Sequence, residues 1–153
     1  MDLILFVGLQ ASGKSSFYRT RLAATRELVS KDLMPNNKRP ERRQRQLIEE
    51  ALARGASVVV DNTNPTPAVR APLIALGHTY GAQVIGYYFD TPLGVCLARN
   101  RQREGRARVP DIALFATRKT LTPPALAEGF DRLFRVTLTD EGAYSVEAWS
   151  GAT

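Results

Sequence analysis

Short apolar runs alternate with amphipathic segments along this chain, which is the pattern of strands that alternate with helices. The predicted strands are the apolar and β-branched runs at residues 3–7, 27–30, 57–60, 83–89, 132–138 and 144–149. The predicted helices carry apolar positions on one face and lie at residues 14–26, 41–54, 67–81, 92–102 and 111–120. This order predicts an α/β fold in which helices flank both faces of a parallel β-sheet.

Proline and threonine mark the ends of several elements. Two Thr-Pro pairs, at residues 66–67 and 91–92, predict helix starts, because a threonine hydroxyl caps a helix and proline suits its first turn. Pro72 is an awkward residue for the interior of the third helix, since proline lacks the N–H that the helix needs. The last two strands predict a hairpin around residues 140–142.

The segment from Gly8 to Ser15 reads GLQASGKS and fits the phosphate-loop pattern G-x-x-x-x-G-K-[ST] at every fixed position. It joins the first predicted strand to the first helix, so its backbone N–H groups and the positive helix end point at one small volume. We therefore expect a nucleoside triphosphate, with Lys14 at the β- and γ-phosphates and the Ser15 hydroxyl on Mg²⁺. The residues expected to bind the nucleotide here are Gly8, Gln10, Ala11, Ser12, Gly13, Lys14, Ser15 and Ser16.

Polar residues follow two further strands, and ligands bind at the carboxyl ends of the strands in a parallel sheet. Asp32 can accept a proton from an attacking hydroxyl, and Asp61 ends its strand as the Mg²⁺-site aspartate does in other phosphate-loop enzymes. Residues 62–64 add neutral hydrogen-bonding side chains that can hold a substrate. The alternatives are an ordinary turn carboxylate at Asp32 and a polar, helix-capping turn at residues 61–64, and both stay open.

Five arginines lie within ten residues near the end of the fourth predicted helix: Arg99, Arg101, Arg103, Arg106 and Arg108. Arg99 and Arg103 are four residues apart, so they share one helix face. Guanidinium groups match phosphate oxygens as a fork, and this pair can close over a transferring phosphoryl group. The alternative is a solvated helix end.

Composition bounds the class of protein. A chain of 153 residues with 44% hydrophobic and 24% charged side chains is typical of one soluble globular domain. No apolar run approaches the ~20 residues of a membrane span, and the first residues lack the basic start of a signal peptide. We expect one domain over residues 1–153, in the cytoplasm, without membrane contact. The single cysteine, Cys96, is expected to pack against a helix, and the single histidine, His78, to be structural.

The net charge of +6 comes from arginine-rich clusters at residues 38–45 and 99–108. A polyanion-binding surface is the more specific explanation of these clusters, and solvated surface charge is the more general one. A triphosphate site requires positive charge in either case, so the charge alone leaves both explanations open.

The chain resembles the kinase domain of polynucleotide 5′-hydroxyl kinases, both the bacteriophage end-healing enzyme and the animal DNA-repair enzyme. The most family-specific segment is Val60-Asp61-Asn62-Thr63-Asn64-Pro65, which is close to that family's hydrophobic-Asp-Asn-Thr-Asn-Pro string, with Arg70 following at a similar distance. Lys31-Asp32 stands where the family has a strand that ends in Arg-Asp, and residues 99–103 resemble its lid, with Val109-Pro110 beyond it. Glu128-Gly129-Phe130 matches a string found late in the animal domain, so the resemblance runs to about Phe134.

This resemblance implies a kinase-type P-loop NTPase with an arginine-rich lid at about residues 99–110. The implied reaction is the Mg²⁺-dependent transfer of the γ-phosphate of ATP, or of another nucleoside triphosphate, to a 5′-hydroxyl end of DNA or RNA. Asp32 would be the general base, and Arg103 with Arg99 would contact the donor phosphates. The implied acceptor-binding residues are Lys31, Asp61, Asn62, Thr63 and Asn64. Lys31 replaces the family's arginine, which keeps the charge and loses the fork.

Two other functions stay open at this point. One is a small-molecule kinase on the same scaffold that acts on a sugar, a nucleoside or a nucleotide-sugar, because a fold does not fix its substrate. The other is a nucleotide-binding regulatory protein with little catalysis. Asp32 argues against the regulatory protein, since a protein that only binds nucleotide needs no base.

Overall fold

The computed structural model describes residues 1–139 and 141–151 of the chain, and its centre is a six-stranded sheet. The strands are β1 (Asp2–Gly8), β2 (Glu27–Val29), β3 (Val58–Val60), β4 (Gln83–Phe89), β5 (Arg132–Leu138) and β6 (Tyr144–Ala148). Their order across the sheet is β2-β3-β1-β4-β5-β6. All neighbours pair in parallel except β6, which runs antiparallel to β5. The predicted α/β fold is therefore confirmed, with one antiparallel edge strand. Asp140, in the predicted hairpin turn, lies outside the described residues.

Five α-helices connect the strands: α1 (Lys14–Phe17), α2 (Pro40–Ala53), α3 (Pro67–Thr79), α4 (Leu93–Arg101) and α5 (Asp111–Thr120). A π-helical turn, Tyr18–Leu22, extends α1, and short 3₁₀ turns lie at Lys31–Leu33, Gly105–Ala107 and Leu126–Glu128. Pro72 lies inside α3 on its exposed side, where water can bind the carbonyl that the missing N–H leaves free. No helix of the described residues is long and apolar enough to cross a membrane.

The two faces of the sheet bury separate apolar clusters, as the period of two along a strand requires. Leu3 and Leu5 of β1 face α2 and α3 and pack with Ile48. Ile4 and Phe6 face the opposite side and pack with Phe17 at the end of α1. Helices therefore cover both faces, which confirms the layered arrangement that the sequence predicts. A third cluster joins α4 and α5 to the phosphate loop and contains Leu9, Cys96 and Leu114. Cys96 packs there as expected.

The first predicted helix is shorter and less regular than residues 14–26. Helical structure ends at Leu22, and its last five residues form the π-helical turn. A π-helical turn bonds residue i to residue i+5, so it brings Phe17 and Leu22 to the same side of the helix. Both side chains are buried against the sheet. The burial of this pair outweighs the regular α-helical pattern.

One of the two predicted helix caps is wrong. The Thr66 hydroxyl accepts a hydrogen bond from the backbone N–H of Val69, 3.2 Å away, and so caps α3 as predicted. Thr91 makes no such bond to α4. Its hydroxyl instead donates to the backbone carbonyl of Ser12, 2.9 Å away and 79 residues earlier in the chain. A tertiary contact has taken the place of the local one.

Candidate active site

The phosphate loop follows β1 and has a constrained backbone. A Cβ on Gly8 would lie 2.9 Å from the Cβ of Phe89, so a side chain here would collide with β4. Gly13 has a φ of 103°, in the left-handed region that glycine adopts without strain. Ala11 has a φ of 60°, which L side chains rarely adopt. The surrounding structure therefore holds this loop in a conformation that the chain alone would not favour.

Side chains from distant elements hold the carbonyl groups of this loop. Besides the bond from Thr91 to Ser12, the Tyr144 hydroxyl donates to the carbonyl of Gly13 at 3.1 Å. The Arg99 Nε–H donates to the carbonyl of Ala11 at 3.0 Å. Turned outward by these bonds, the carbonyls leave the N–H side of the loop free to face an anion.

The Lys14 side chain lies buried within the loop. Its ammonium donates to the carbonyls of Gly8 and Leu9 at 3.0 and 2.6 Å, and a longer contact of 3.4 Å reaches the Ser12 hydroxyl. Burial lowers the pKa of this ammonium to about 8, although the carboxylate of Asp61 opposes the shift. An incoming triphosphate would supply the negative charge that the buried ammonium lacks.

Ser15 and Asp61 form the second part of the site. The Ser15 hydroxyl donates to Oδ2 of Asp61 at 2.8 Å, which joins the end of the phosphate loop to the end of β3. Asp61 is buried, and burial raises the pKa of its carboxyl against the opposing effects of Lys14 and Ser15. A hydroxyl and a carboxylate are hard oxygen donors of the kind that Mg²⁺ prefers. The pair therefore fits the predicted Mg²⁺ ligand at Ser15.

Asp32 lies on the 3₁₀ turn after β2 and is exposed. Its backbone N–H donates to the Ser30 hydroxyl at 3.2 Å, a contact that caps this turn. The carboxylate of Asp32 influences both the Lys14 ammonium and the Asp61 carboxyl electrostatically. The structure thus brings the predicted base to the same end of the sheet as the phosphate loop. The neighbouring Lys31 forms an ion pair with Glu41 at 3.2 Å.

The turn at residues 61–64 divides into ligand-facing and structural residues. Asn62 accepts a hydrogen bond from the Lys31 backbone N–H at 3.0 Å and donates to Gln44 at 2.6 Å, so it links β2, β3 and α2. Thr63 is half-buried, and its carbonyl accepts from the Gly8 N–H. Asn64 is buried, and its side chain donates to the carbonyl of Phe6 at 2.7 Å. The predicted acceptor contact by Asn64 is therefore corrected to a structural one, because this side chain faces β1.

The predicted lid arginines have different environments. Arg99 is half-buried and contacts the phosphate loop through Nε, as described above. Arg103 is half-buried, and its charge acts on both Lys14 and Asp61. Arg101 pairs with Asp111, and Arg106 and Arg108 are exposed. The structure thus brings Arg99 and Arg103, and not the whole cluster, to the predicted site.

Three residues near the site carry no signal in the sequence pattern. Asn100 is buried and bonds both the carbonyl and the N–H of Val109, at 2.6 and 3.1 Å, which closes the loop after α4. Gln10, predicted to bind nucleotide, instead donates to Thr117 of α5 at 3.0 Å. Tyr144 reaches Gly13 from the edge strand. Only the fold brings these partners together, because each pair except Asn100 and Val109 is more than 100 residues apart.

Comparison with known proteins identifies the type of fold. Residues 3–124 match the model of a protein family described as the AAA domain. A solved structure of the AvrRxo1-ORF1:AvrRxo1-ORF2 complex matches with a TM-score of 0.71 and 14% identity, over 95% of this chain and 57% of that one. This chain thus spans less than two thirds of the length of that relative, which has also been solved with ATP.

Two solved kinase-related structures also share the fold. A sugar kinase from Janibacter sp. HTCC2649 matches with a TM-score of 0.64 and 20% identity, over 90% of this chain and 85% of the kinase. A chain of the Pnkp1/Rnl/Hen1 complex matches with a TM-score of 0.57 and 22% identity, over 64% of this chain and 38% of that chain. At these identities the matches show the fold alone, which is an α/β fold of the P-loop kinase type.

Proposed function

We propose that this chain, which belongs to the AAA domain family, transfers the γ-phosphate of a nucleoside triphosphate to a hydroxyl group. The observation that carries the proposal is the meeting of four groups at one edge of the sheet. Lys14 and Asp61 are buried beside each other, and the charges of Asp32 and Arg103 act on both. A site that only binds nucleotide has no use for the exposed carboxylate of Asp32, whereas phosphoryl transfer uses a base.

In the proposed reaction, the acceptor hydroxyl attacks the γ-phosphorus while Asp32 accepts its proton. A bond forms between the acceptor oxygen and the γ-phosphorus, the bond to the β,γ-bridging oxygen breaks, and the nucleoside diphosphate leaves with that electron pair. Asp32 is free to accept this proton because only its backbone N–H is engaged in the 3₁₀ turn. The protein's main contribution is the position and charge of its groups, since this transfer involves little covalent chemistry by the protein.

The remaining residues stabilise the negative charge that shifts during transfer. Lys14 donates to the β- and γ-phosphates in exchange for its contacts with the loop carbonyls. Arg99 and Arg103, on the proposed lid at residues 99–110, contact the donor phosphates from the other side. Ser15, with Asp61 behind it, would hold Mg²⁺, which neutralises phosphate charge when it is bound. ATP is the proposed donor, as in the similar AvrRxo1 complex that has been solved with ATP.

We infer that the acceptor is the 5′-hydroxyl end of a polynucleotide, DNA or RNA. Four basic residues between the Asp32 turn and the first turns of α2, Lys38, Arg39, Arg42 and Arg43, are exposed. Among the described residues they form no ion pair, although Lys31 and Arg45 on either side do. Unpaired cations that follow the base along the chain suit an acceptor that carries many phosphates. The likeness to a chain of the Pnkp1/Rnl/Hen1 complex is consistent with this acceptor.

A small-molecule kinase is the second candidate, and chain length is the observation that favours it. The Janibacter sugar kinase matches over 85% of its own length, whereas the chain in the Pnkp1 complex matches over 38%. A sugar acceptor is small and uncharged, so it would make no use of the basic residues at 38–43. The two candidates therefore differ in how transfer responds to salt and to these side chains.

One experiment separates the acceptors. The protein is incubated with γ-labelled ATP, Mg²⁺ and, in turn, a 5′-hydroxyl oligodeoxynucleotide, the matching oligoribonucleotide, adenosine and gluconate. The proposal expects label on an oligonucleotide and none on the same strand that already carries a 5′-phosphate. It also expects the Michaelis constant for the oligonucleotide to rise with salt, because phosphate contacts release counterions. Label on gluconate or adenosine alone would establish a small-molecule kinase instead.

The basic residues provide a second arm of this experiment. In the double variant Arg42→Gln with Arg43→Gln, the slope of log affinity against log salt should decrease by ~0.7 for each lost phosphate contact on a single strand. Arg45→Gln is the matched control, because Arg45 lies on the same helix and is already paired with Glu49. Equal slopes in the double variant and the wild type would exclude this surface as the acceptor track.

A further inference from the structure

Arg70 is the largest fully buried side chain of the described residues, with 0% of its surface exposed. It lies on the first turn of α3, below the turn at residues 61–64. A buried cation is costly in free energy unless it is paired and hydrogen-bonded, and natural proteins keep few of them. The contacts of this guanidinium therefore indicate what it holds in place.

Glu128 holds one side of the Arg70 guanidinium. Its two carboxylate oxygens accept from Nε and Nη2 of Arg70 at 2.8 and 3.1 Å, which is a bidentate pair. The same carboxylate accepts from the backbone N–H of Ala125 at 2.9 Å. Glu128 therefore fixes the direction of the guanidinium, and the remaining nitrogen, Nη1, points away from this pair.

Nη1 of Arg70 donates to two carbonyl groups near the site. One is the carbonyl of Asn64, 2.9 Å away, and the other is that of Thr122, 3.0 Å away, in the segment that leaves α5. The Thr122 N–H also donates to the carbonyl of Pro65 at 2.8 Å. A single guanidinium thus joins the turn after β3 to the segment after the lid helices.

Asn64 transmits this contact to the phosphate loop. It has a φ of 43°, which is rare for residues other than glycine, so the turn depends on its neighbours to keep its shape. On its other side the turn is fixed to β1 by the bonds from Asn64 to Phe6 and from Gly8 to Thr63. Arg70 therefore sets the position of Asp61 and Thr63 relative to the root of the phosphate loop.

We propose that Arg70, oriented by Glu128, is a positioning residue for phosphoryl transfer. It holds the turn that carries Asp61 and Thr63 at the distance from the phosphate loop at which the acceptor hydroxyl meets the γ-phosphate. A displacement of about 1 Å far from the reacting atoms can lower the rate ~100-fold. This inference rests on the proposed transfer reaction, and it holds for whichever hydroxyl acceptor the protein uses.

Arg70→Lys tests the proposal, because lysine keeps the charge and cannot bond the carboxylate and both carbonyls at once. Initial rates are measured at saturating ATP with the acceptor that the wild type phosphorylates, at a temperature where circular dichroism shows the variant to be folded. We expect kcat to fall ~10- to 100-fold. The dissociation constant of the ATP complex should stay within about twofold, because Arg70 does not touch the phosphate loop itself.

Arg26→Lys is the matched control. Arg26 also forms a buried-side ion pair, with Asp2 at 2.7 Å, at the opposite end of β1 from the phosphate loop. This variant should lose thermal stability to a similar degree and keep the wild-type kcat. Arg70→Met combined with Glu128→Leu provides a second variant in which no buried charge is left unpaired. It should fold and still lose kcat, because the Asn64 carbonyl loses its donor.

The outcomes separate this proposal from the proposed function. A wild-type kcat in folded Arg70→Lys, or an equal loss of kcat in Arg26→Lys, would overturn the positioning role and leave the transfer reaction intact. A wild-type protein that transfers phosphate to no hydroxyl acceptor would overturn both. A loss of ATP affinity that accounts for the whole loss of rate would show that Arg70 supports the nucleotide site instead.

Discussion

The buried ammonium of Lys14 makes nucleotide binding dependent on pH in a range where most lysines do not titrate. Burial lowers its pKa to about 8, and the binding of a triphosphate should restore a pKa near or above the ordinary ~10.4. As pH rises through 8, the free protein loses this proton while the complex keeps it. Binding then requires proton uptake, so affinity should fall as pH rises.

The magnitude follows from the two pKa values. About nine tenths of the free protein carries the proton at pH 7 and about one tenth at pH 9, whereas the complex stays protonated at both. The dissociation constant for Mg·ATP should therefore rise about tenfold between pH 7 and pH 9, which corresponds to ~1.4 kcal/mol. The triphosphate itself is fully ionised across this range, since phosphate has its second pKa near 6.

The assay is isothermal titration calorimetry of a non-hydrolysable ATP analogue at constant ionic strength, at half-unit steps from pH 7 to pH 9. Lys14→Arg is the matched control, because an arginine stays charged throughout the range and removes the titration. A dissociation constant that stays level across this range in the wild type would refute the lowered pKa. An equal rise in Lys14→Arg would show that a different group titrates.

Two further substitutions test the supports of the site. Asp61→Asn keeps the size of the Asp61 side chain, which accepts from Ser15, and removes its charge, so the Mg²⁺ concentration for half-maximal activity should rise ~10- to 100-fold, measured by titration of the transfer rate; an unchanged requirement would place the metal elsewhere. Thr91→Val leaves the buried Ser12 carbonyl without its donor and should lower the free energy of unfolding in urea by ~1–3 kcal/mol, whereas Thr79→Val, which loses a bond within its own exposed helix end, should change it by less than ~0.5 kcal/mol. Equal losses in the two threonine variants would mean that the bond to the loop has no special weight.

The part of the site that depends on neighbouring residues could be predicted from the sequence. The phosphate loop needs only a strand, two glycines, a lysine and a serine in a fixed order, and the structure has this segment between β1 and α1. The strands before Asp32 and Asp61 were likewise readable as apolar runs, and a parallel sheet brings their carboxyl ends together. The fold class followed from the same alternation of elements.

The contacts that support the site could not be predicted from local pattern. Thr91 has the sequence context of a helix cap, yet the fold brings Ser12 within reach of its hydroxyl. Asn64 looks like a substrate ligand on an exposed turn, and it is buried because its amide bonds the carbonyl of Phe6. Arg70 and Glu128 meet across 58 residues. Such pairs are decided by tertiary packing, which periodicity does not encode.

The central claim is that Asp32 is the base in transfer to a polynucleotide end, and one measurement tests it most directly. The wild type and Asp32→Asn are each incubated with ATP, Mg²⁺ and a 5′-hydroxyl oligonucleotide, and the product is weighed by mass spectrometry while ATP affinity is measured in parallel. The account predicts a 5′-phosphorylated strand with the wild type, no detectable product with Asp32→Asn, and dissociation constants for ATP within about twofold of each other, because an exposed carboxylate away from the loop carbonyls contributes little to binding. Phosphorylation by Asp32→Asn at the wild-type rate, or no phosphorylated strand with the wild type, would contradict it.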